Sequence, residues 1–372
     1  MLIWNQPAFT RRCIESVLAH TRTPVRLLLV DNGSDAPTQA HLASVASRGS
    51  VQVQTLRNET NEGFARGMNR GLRASGAPWV CLLNNDTVVT DGWLERMLAV
   101  GQAHPEIGLI NPSSNTFNDR PGAGTSLAAH AATAAGRTPE YVEVGTCVGF
   151  CWLIRRAVIE AIGVLDESSG LAFFEDTEYC RRAAQAGWQS AVAQRAYVWH
   201  AEHQTVRRLP QRQRLFRENQ RRFEARWGRL LRLAYVVRPQ DAGAPKRMAS
   251  ALRWAVATAR RGAIVQLWIP TAQRVERNAL FAAAGLVPHA DVQCIAAPRD
   301  GWRLTVWMWR RLVSRRLSPR RPKLFDFVII DDVARAQRLT EWRWWHGADI
   351  LSHTDGDTLN RLWQSRSRSQ SS

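Results

Sequence analysis

The chain has 372 residues, 45% hydrophobic and 22% charged, a globular composition that excludes general disorder and leaves length for two or three domains at roughly 150 residues each. Its 50 Lys and Arg against 32 Asp and Glu give a formal charge of +18 and an isoelectric point of about 11.1. Such a surface favours anionic company: nucleic acid, phosphates or an acidic membrane leaflet. The six cysteines (Cys13, Cys81, Cys147, Cys151, Cys180 and Cys294) make no disulfide framework in a chain this long, and most sit in apolar runs. Cys147 and Cys151 have no His or Cys pair nearby, so no zinc site is expected and a reducing cytoplasm fits. No stretch approaches the ~18 uncharged residues of a membrane span. The opening Met1-Leu2-Ile3-Trp4-Asn5 lacks the basic and apolar regions of a signal peptide.

In chain order, a strand stub at 2–4 precedes a helix over 7–20, whose Phe9, Cys13, Ile14, Val17 and Leu18 share a face. Strands follow at 25–30 and 51–56, a helix at 63–74 and a strand at 79–83. Asp91 is placed to cap a helix over 93–103, and 107–110 reads as a strand. Residues 101–138 are rich in small and polar residues and read mostly as surface loop. Beyond lie a strand at 148–154, helices at 155–162 and 177–186, each closed by a glycine, and a strand at 189–193. Short apolar runs alternating with helical patterns signify a parallel α/β sheet. Past about Thr205 the composition shifts. Residues 207–245 read as an Arg-rich amphipathic helix and linker, and 246–364 as a smaller α/β domain with strands at 264–269, 292–297 and 327–330. The Ser/Arg-rich 365–372 reads as a disordered tail.

Two apolar strands end in polar clusters, Asp31-Asn32-Gly33-Ser34 and Asn84-Asn85-Asp86. In open parallel sheets, ligands bind beyond the carboxyl ends of strands, where a carboxylate can hold a ribose, or a cation against a diphosphate. Taken singly, the first cluster is equally a turn and Asp86 equally a helix cap. Their order among the other motifs favours a site. Asn5 follows the first strand. Asn61-Glu62-Gly63-Phe64-Ala65, with Asn69, lies between the two clusters. Phe173-Phe174-Glu175-Asp176-Thr177, Ala186-Gly187-Trp188 and Val198-Trp199-His200 come later.

Over residues 1–206 this series resembles the family 2 inverting glycosyltransferases of the GT-A fold, especially the bacterial branch that builds O-antigen and other surface polysaccharides, with rhamnosyltransferases among them. The resemblance implies a GT-A, Rossmann-like α/β domain. Asn5 and Asp31 would line a nucleoside pocket, with Asn61, Gly63 and Asn69 beneath the nucleotide-sugar. Asn84-Asn85-Asp86 matches the D-x-D element, so Asp86 would bind Mg²⁺ or Mn²⁺ with Asn84 and Asn85 beside it. Glu175-Asp176 matches the pair that holds the catalytic base, and His200 a histidine that can join the metal. Asn84 departs from the first D-x-D carboxylate. The first strand is also shorter than the family's, so either the true start lies upstream or the edge of the nucleotide pocket is incomplete.

Chemistry adds its own reasons. Inverting transfer needs one general base for the acceptor hydroxyl, attacking the anomeric carbon in line. It also needs a positive centre for the departing diphosphate. Asp176 is preferred to Glu175 because it opens a helix, where a carboxylate stays ionised; the alternative is a capping Asp176 and a surface Glu175. His200, near His203, reads as a ligand or as a structural histidine. Trp342, Trp344 and Trp345 suit packing, or stacking on sugar rings.

The expected enzyme is thus a cytoplasmic, metal-dependent glycosyltransferase, taking a UDP- or dTDP-sugar donor and a glycan or lipid-linked acceptor. Over 207–232, with Pro210 in its first turn, a helix would place Leu209, Phe216, Phe223, Trp227 and Leu230 on one face and arginines elsewhere, a means of peripheral attachment to an anionic inner leaflet. Two rivals remain. A sugar-phosphate nucleotidyltransferase would need a Gly-rich phosphate loop where Asn5-Gln6-Pro7 stands. A basic nucleic-acid-binding protein would match the charge, although no recognised nucleic-acid module is present and no specific nucleic acid is expected.

Overall fold

The computed structural model describes residues 1–201, 211–299, 301–316 and 324–352. His203, Leu209, Pro210 and the tail at 365–372 lie outside the described residues. The chain divides into two units, Met1–Arg226 and Trp227–Ser372.

The first unit runs β1 (Leu2–Ile3), α1 (Pro7–His20), β2 (Val25–Asn32), α2 (Ala36–Ser44), β3 (Val51–Asn58), α3 (Phe64–Arg73), β4 (Trp79–Leu83) and β5 (Thr87–Val89). It continues with α4 (Trp93–Ala103), β6 (Ile107–Ser113), α5 (Leu127–Ala135), β7 (Tyr141–Val144), β8 (Cys151–Arg155), α6 (Arg156–Ile162), α7 (Glu175–Gln185), β9 (Gln189–His200) and α8 (Arg212–Trp227). α1 starts on Pro7, whose ring suits a first helical turn, and buries Cys13, Ile14 and Val17. The apolar run Leu27–Val30 puts β2 inside, between β1 and β3, all parallel. A parallel bridge from Leu2 to Asn84 joins this sheet to a second one, ordered β4-β8-β6-β9-β5 with β7 on β9.

That second sheet is mixed rather than parallel, which corrects the sequence expectation. β4 and β6 run antiparallel to β8, while β6 and β9 run parallel. Chain direction is a property of pairing, and local periodicity does not carry it. Asp91 does not cap α4. Gly92, at φ +69°, occupies the cap, and Asp91 pairs with Arg22 at 2.7 Å. α5 rises within the stretch read as loop, capped by the Ser126 side chain; its alanines form helix readily but show little amphipathic contrast.

The second unit runs β10 (Leu231–Val236), α9 (Pro245–Arg260), β11 (Ala263–Pro270), α10 (Arg277–Ala283), β12 (Val292–Ala297), α11 (Gly301–Arg316), β13 (Phe327–Ile330), α12 (Val333–Glu341), α13 (Arg343–His346) and β14 (Asp349–Ser352). The sheet is wholly parallel, in the order β12-β11-β10-β13-β14. One face buries Leu233, Leu252, Val265 and Phe281, the other Trp268, Leu304, Met308 and Val328, as a doubly wound sheet requires. The stretch 207–245 is therefore not one helix and a linker. α8 stops at Trp227, ahead of Gly228 at φ +70°, and β10 is the central strand of the second sheet. Arg229 and Arg232 masked the alternation of buried Leu231 and Leu233 that marks this strand.

Candidate active site

A cavity of about 330 Å³ opens where the carboxyl ends of β2 and β4, the start of α7 and the end of β9 converge. Asn61, Gly63, Asn84, Asn85, Asp86, Glu175, Asp176 and His200, drawn from four separate stretches of sequence, all line it.

The Asn61-Gly63 side is built on Asn32. Its amide donates to Asn61 Oδ1 at 2.9 Å and to the Gly63 carbonyl at 3.2 Å, while its own oxygen accepts from Asn58. Gly63 sits at φ +87°, and a Cβ there would stand 2.7 Å from the Gly170 carbonyl oxygen. Only glycine fits this close approach.

Also on the cavity lining, β5 pairs with β9 so that Thr87 is level with His200. This sets the buried Asp86 and His200 side by side, Nε2 to Oδ1 at 3.2 Å. His200 is fixed on every side. Its Nδ1 meets Thr116 Oγ1 at 3.0 Å, its ring stacks on Phe150 with centroids 5.0 Å apart, and its backbone exchanges two bonds with Asn115. Among the described residues no three His, Cys, Asp or Glu side chains converge as a metal cluster.

Glu175 and Asp176 open α7. Burial, and secondarily the Asp176 charge, push the Glu175 carboxyl up to about 8. Its Oε2 is buried without a hydrogen-bond partner. Asp176 is also raised by burial, but bonds from Gly149 N at 3.0 Å and Thr177 N at 2.6 Å oppose the shift. Phe173 and Phe174, immediately before the pair, both hold left-handed backbone, at φ +78° and +70°. Adjacent aromatic residues in that region are strained, and such strain gathers at functional sites.

Three sequence candidates do not reach the cavity wall. Asp31 is buried against Arg57 and accepts from Ser34 N at 2.9 Å. Asn5 accepts from Asp35 N at 2.8 Å and shapes the turn after β1. Asn69, wholly buried, uses its amide on both backbone groups of Leu165 and on Glu167. Each was singled out by its motif, and each braces a loop. Sequence reasoning missed Asn32, Phe150 and Phe216, which also line the cavity. Asn32 stood in the quoted Asp31–Ser34 cluster, Phe216 on the α8 apolar stripe, and Phe150 in the run 147–151 that the family resemblance sets on the acceptor side, so all three carried a signal.

The model of the family "Glycosyl transferase family 2" matches residues 1–163. Over these residues the chain is similar to that family, in keeping with the resemblance read from the sequence motifs. The match ends before Glu175, so the Glu175-Asp176 pair and His200 lie beyond it. An uncharacterised protein of Sinorhizobium fredii is 24% identical over 238 residues, covering 58% of this chain and only 26% of that protein. The N-acetylglucosaminyl-diphospho-decaprenol L-rhamnosyltransferase of Mycobacterium tuberculosis is 27% identical over 235 residues, 54% of this chain and 74% of the relative. Among solved structures, a Pyrobaculum calidifontis mannosyltransferase in complex with GDP-Man and Mn²⁺ aligns over 68% of this chain and 62% of its own, with 12% identity and a TM-score of 0.43.

Proposed function

We propose that the protein transfers a sugar from a nucleotide diphosphate to a glycan or lipid-linked acceptor, with inversion, during surface polysaccharide synthesis. One observation carries the reading: Asp86 with His200 and Glu175 with Asp176 line a single cavity. Asp176 acts as the general base. Its carboxylate, held by Gly149 and Thr177, takes the proton of the acceptor hydroxyl as that oxygen bonds to the anomeric carbon. The bond from that carbon to the diphosphate oxygen breaks in the same displacement, and the nucleoside diphosphate leaves. Glu175, neutral in much of the physiological range, faces the same cavity as a hydrogen-bond donor.

The donor set suits a divalent cation. Asp86 and His200 offer a carboxylate oxygen and an imidazole nitrogen, 3.2 Å apart, and the diphosphate would complete the shell of Mg²⁺ or Mn²⁺. When bound, the cation offsets the charge of the departing diphosphate. With so few protein ligands, donor and metal should bind cooperatively. A UDP- or dTDP-sugar, dTDP-rhamnose foremost, is the proposed donor, and the proposed place of action is the cytoplasmic face of a membrane.

A thermal-shift panel of nucleotide-sugars with and without Mn²⁺ tests the reading, since a ligand of the folded state raises its stability. The expected result is a rise with one donor, enlarged by Mn²⁺, with the Mn²⁺ increment absent in Asp86→Ala. No shift with any donor, or a larger one with RNA, overturns it.

A further inference from the structure

The second unit carries an outward apolar stripe with no role in its core. α11, GWRLTVWMWRRLVSRR, turns Leu304, Met308 and Leu312 inward against the sheet. One inward stripe is what a helix on a sheet needs. α11 has another. Trp302 and Val306 are 68% and 40% exposed, and Trp309 is partly exposed on the next turn. Arg303 and Arg310 flank this stripe, both exposed, with the Arg303 guanidinium 5.6 Å from the Trp302 ring centroid. No carboxylate occurs anywhere in the helix. α13 packs against α11 and brings Trp344 and Trp345, 67% and 46% exposed, their rings 4.2 Å apart.

We propose that this face docks the protein on an anionic bilayer. Indoles prefer the headgroup boundary, where the ring is dehydrated while its N–H stays hydrated. Arginines beside them meet lipid phosphates. A helix with an aromatic stripe, flanking arginines and no acid complements that surface in both polarity and charge. Nucleic acid suits it less well, since an aliphatic Val306 lies between the indoles. The α8 arginines, on which the sequence placed membrane attachment, are partly engaged within their own unit: Arg214 with Glu218, Arg222 with the Ser168 carbonyl, and Arg226 with Asp166 and Glu178. The proposal is independent of the catalytic reading.

Co-sedimentation of the full chain with vesicles decides it, using phosphatidylcholine alone or with about 30% phosphatidylglycerol. The chain should bind only the anionic vesicles and release at high salt. Trp302→Ser with Val306→Ser, both at exposed positions, should weaken binding about tenfold or more, and Arg303→Gln with Arg310→Gln to a similar degree. Arg217→Gln with Arg221→Gln on α8 should leave it within twofold. Binding that survives both α11 variants, or that falls only with the α8 variant, overturns the assignment. So does an absence of binding at low salt. If the Trp302 variant instead abolishes self-association or RNA binding and leaves vesicle binding unchanged, the face belongs to a second copy or to nucleic acid, and the bilayer proposal fails.

Discussion

Glu175 and Asp176 are adjacent in sequence and electrostatically unlike. Burial raises both, but Asp176 receives donors from Gly149 and Thr177 while Glu175 Oε2 receives none and faces the Asp176 charge. The difference favours Asp176 as the member that accepts a proton in the proposed mechanism. Asp176→Asn keeps the shape and removes the proton acceptor, so turnover should fall by about 10² or more while the thermal shift given by the donor barely changes. Wild-type turnover in that variant, with turnover lost in Glu175→Gln, would move the base to Glu175. The same pair predicts a stability profile. Burial pushes the folded Glu175 carboxyl up to about 8, against an ordinary value of 4.5, so between these limits the native state holds more protons than the unfolded chain and stability falls as pH rises. Glu175→Gln has no proton to lose. Its melting temperature should match wild type near pH 4–5 and exceed it by at least about 2–4 °C at pH 9, the shift that about 1 kcal/mol produces in a protein of this size. Parallel curves across that window would mean that Glu175 is solvated.

At the scale of elements, the wall of the site is held from outside the matched family segment. α8 reaches back over 166–174. Its Asn219, 3% exposed, donates to the carbonyls of Ala172 at 2.8 Å and Phe173 at 3.3 Å, and Phe216 and Phe223 pack on the strained aromatic pair. Left-handed backbone at two bulky residues costs about 1–3 kcal/mol each and persists only where its surroundings enforce it. Asn219→Leu removes the donor and leaves two carbonyls unsatisfied, so urea denaturation should show a loss of about 1–3 kcal/mol. An unchanged midpoint would show that the turn holds itself. Sequence reading reached some of this. The bounds of α1, β4 and α4 agree with it because Pro7, the apolar stripes and the flanking polar residues act locally. α2, β5 and β7 escaped it, being short or weakly patterned. The meeting of Asp86 with His200 depends on β5 pairing with β9, and spacing along the chain does not encode that. Asn69 shows the converse: a polar residue in a promising motif whose amide is bonded to Leu165 and Glu167.

For the whole molecule, the decisive fact is that each unit owns a core. Trp152, Tyr179, Leu109 and Met68 cluster in the first, and Leu233, Leu252, Val265 and Phe281 in the second. Every residue lining the candidate active site falls within Met1–Arg226, so chemistry and proposed membrane docking occupy separate units. A unit with its own buried core could in principle fold without the rest of the chain. A fragment ending at Arg226 keeps the α8 residues that brace the Phe173–Phe174 turn, whereas one ending at 206, the boundary read from sequence, loses Phe216, Asn219 and Phe223 together. The longer fragment should therefore unfold cooperatively and retain the nucleotide-sugar thermal shift of the full chain, while binding no anionic vesicles. The shorter one should melt lower and lose most of that shift, because the cavity wall at 171–174 is left without its support. Equal melting temperatures and equal donor responses in the two fragments would sever α8 from the site.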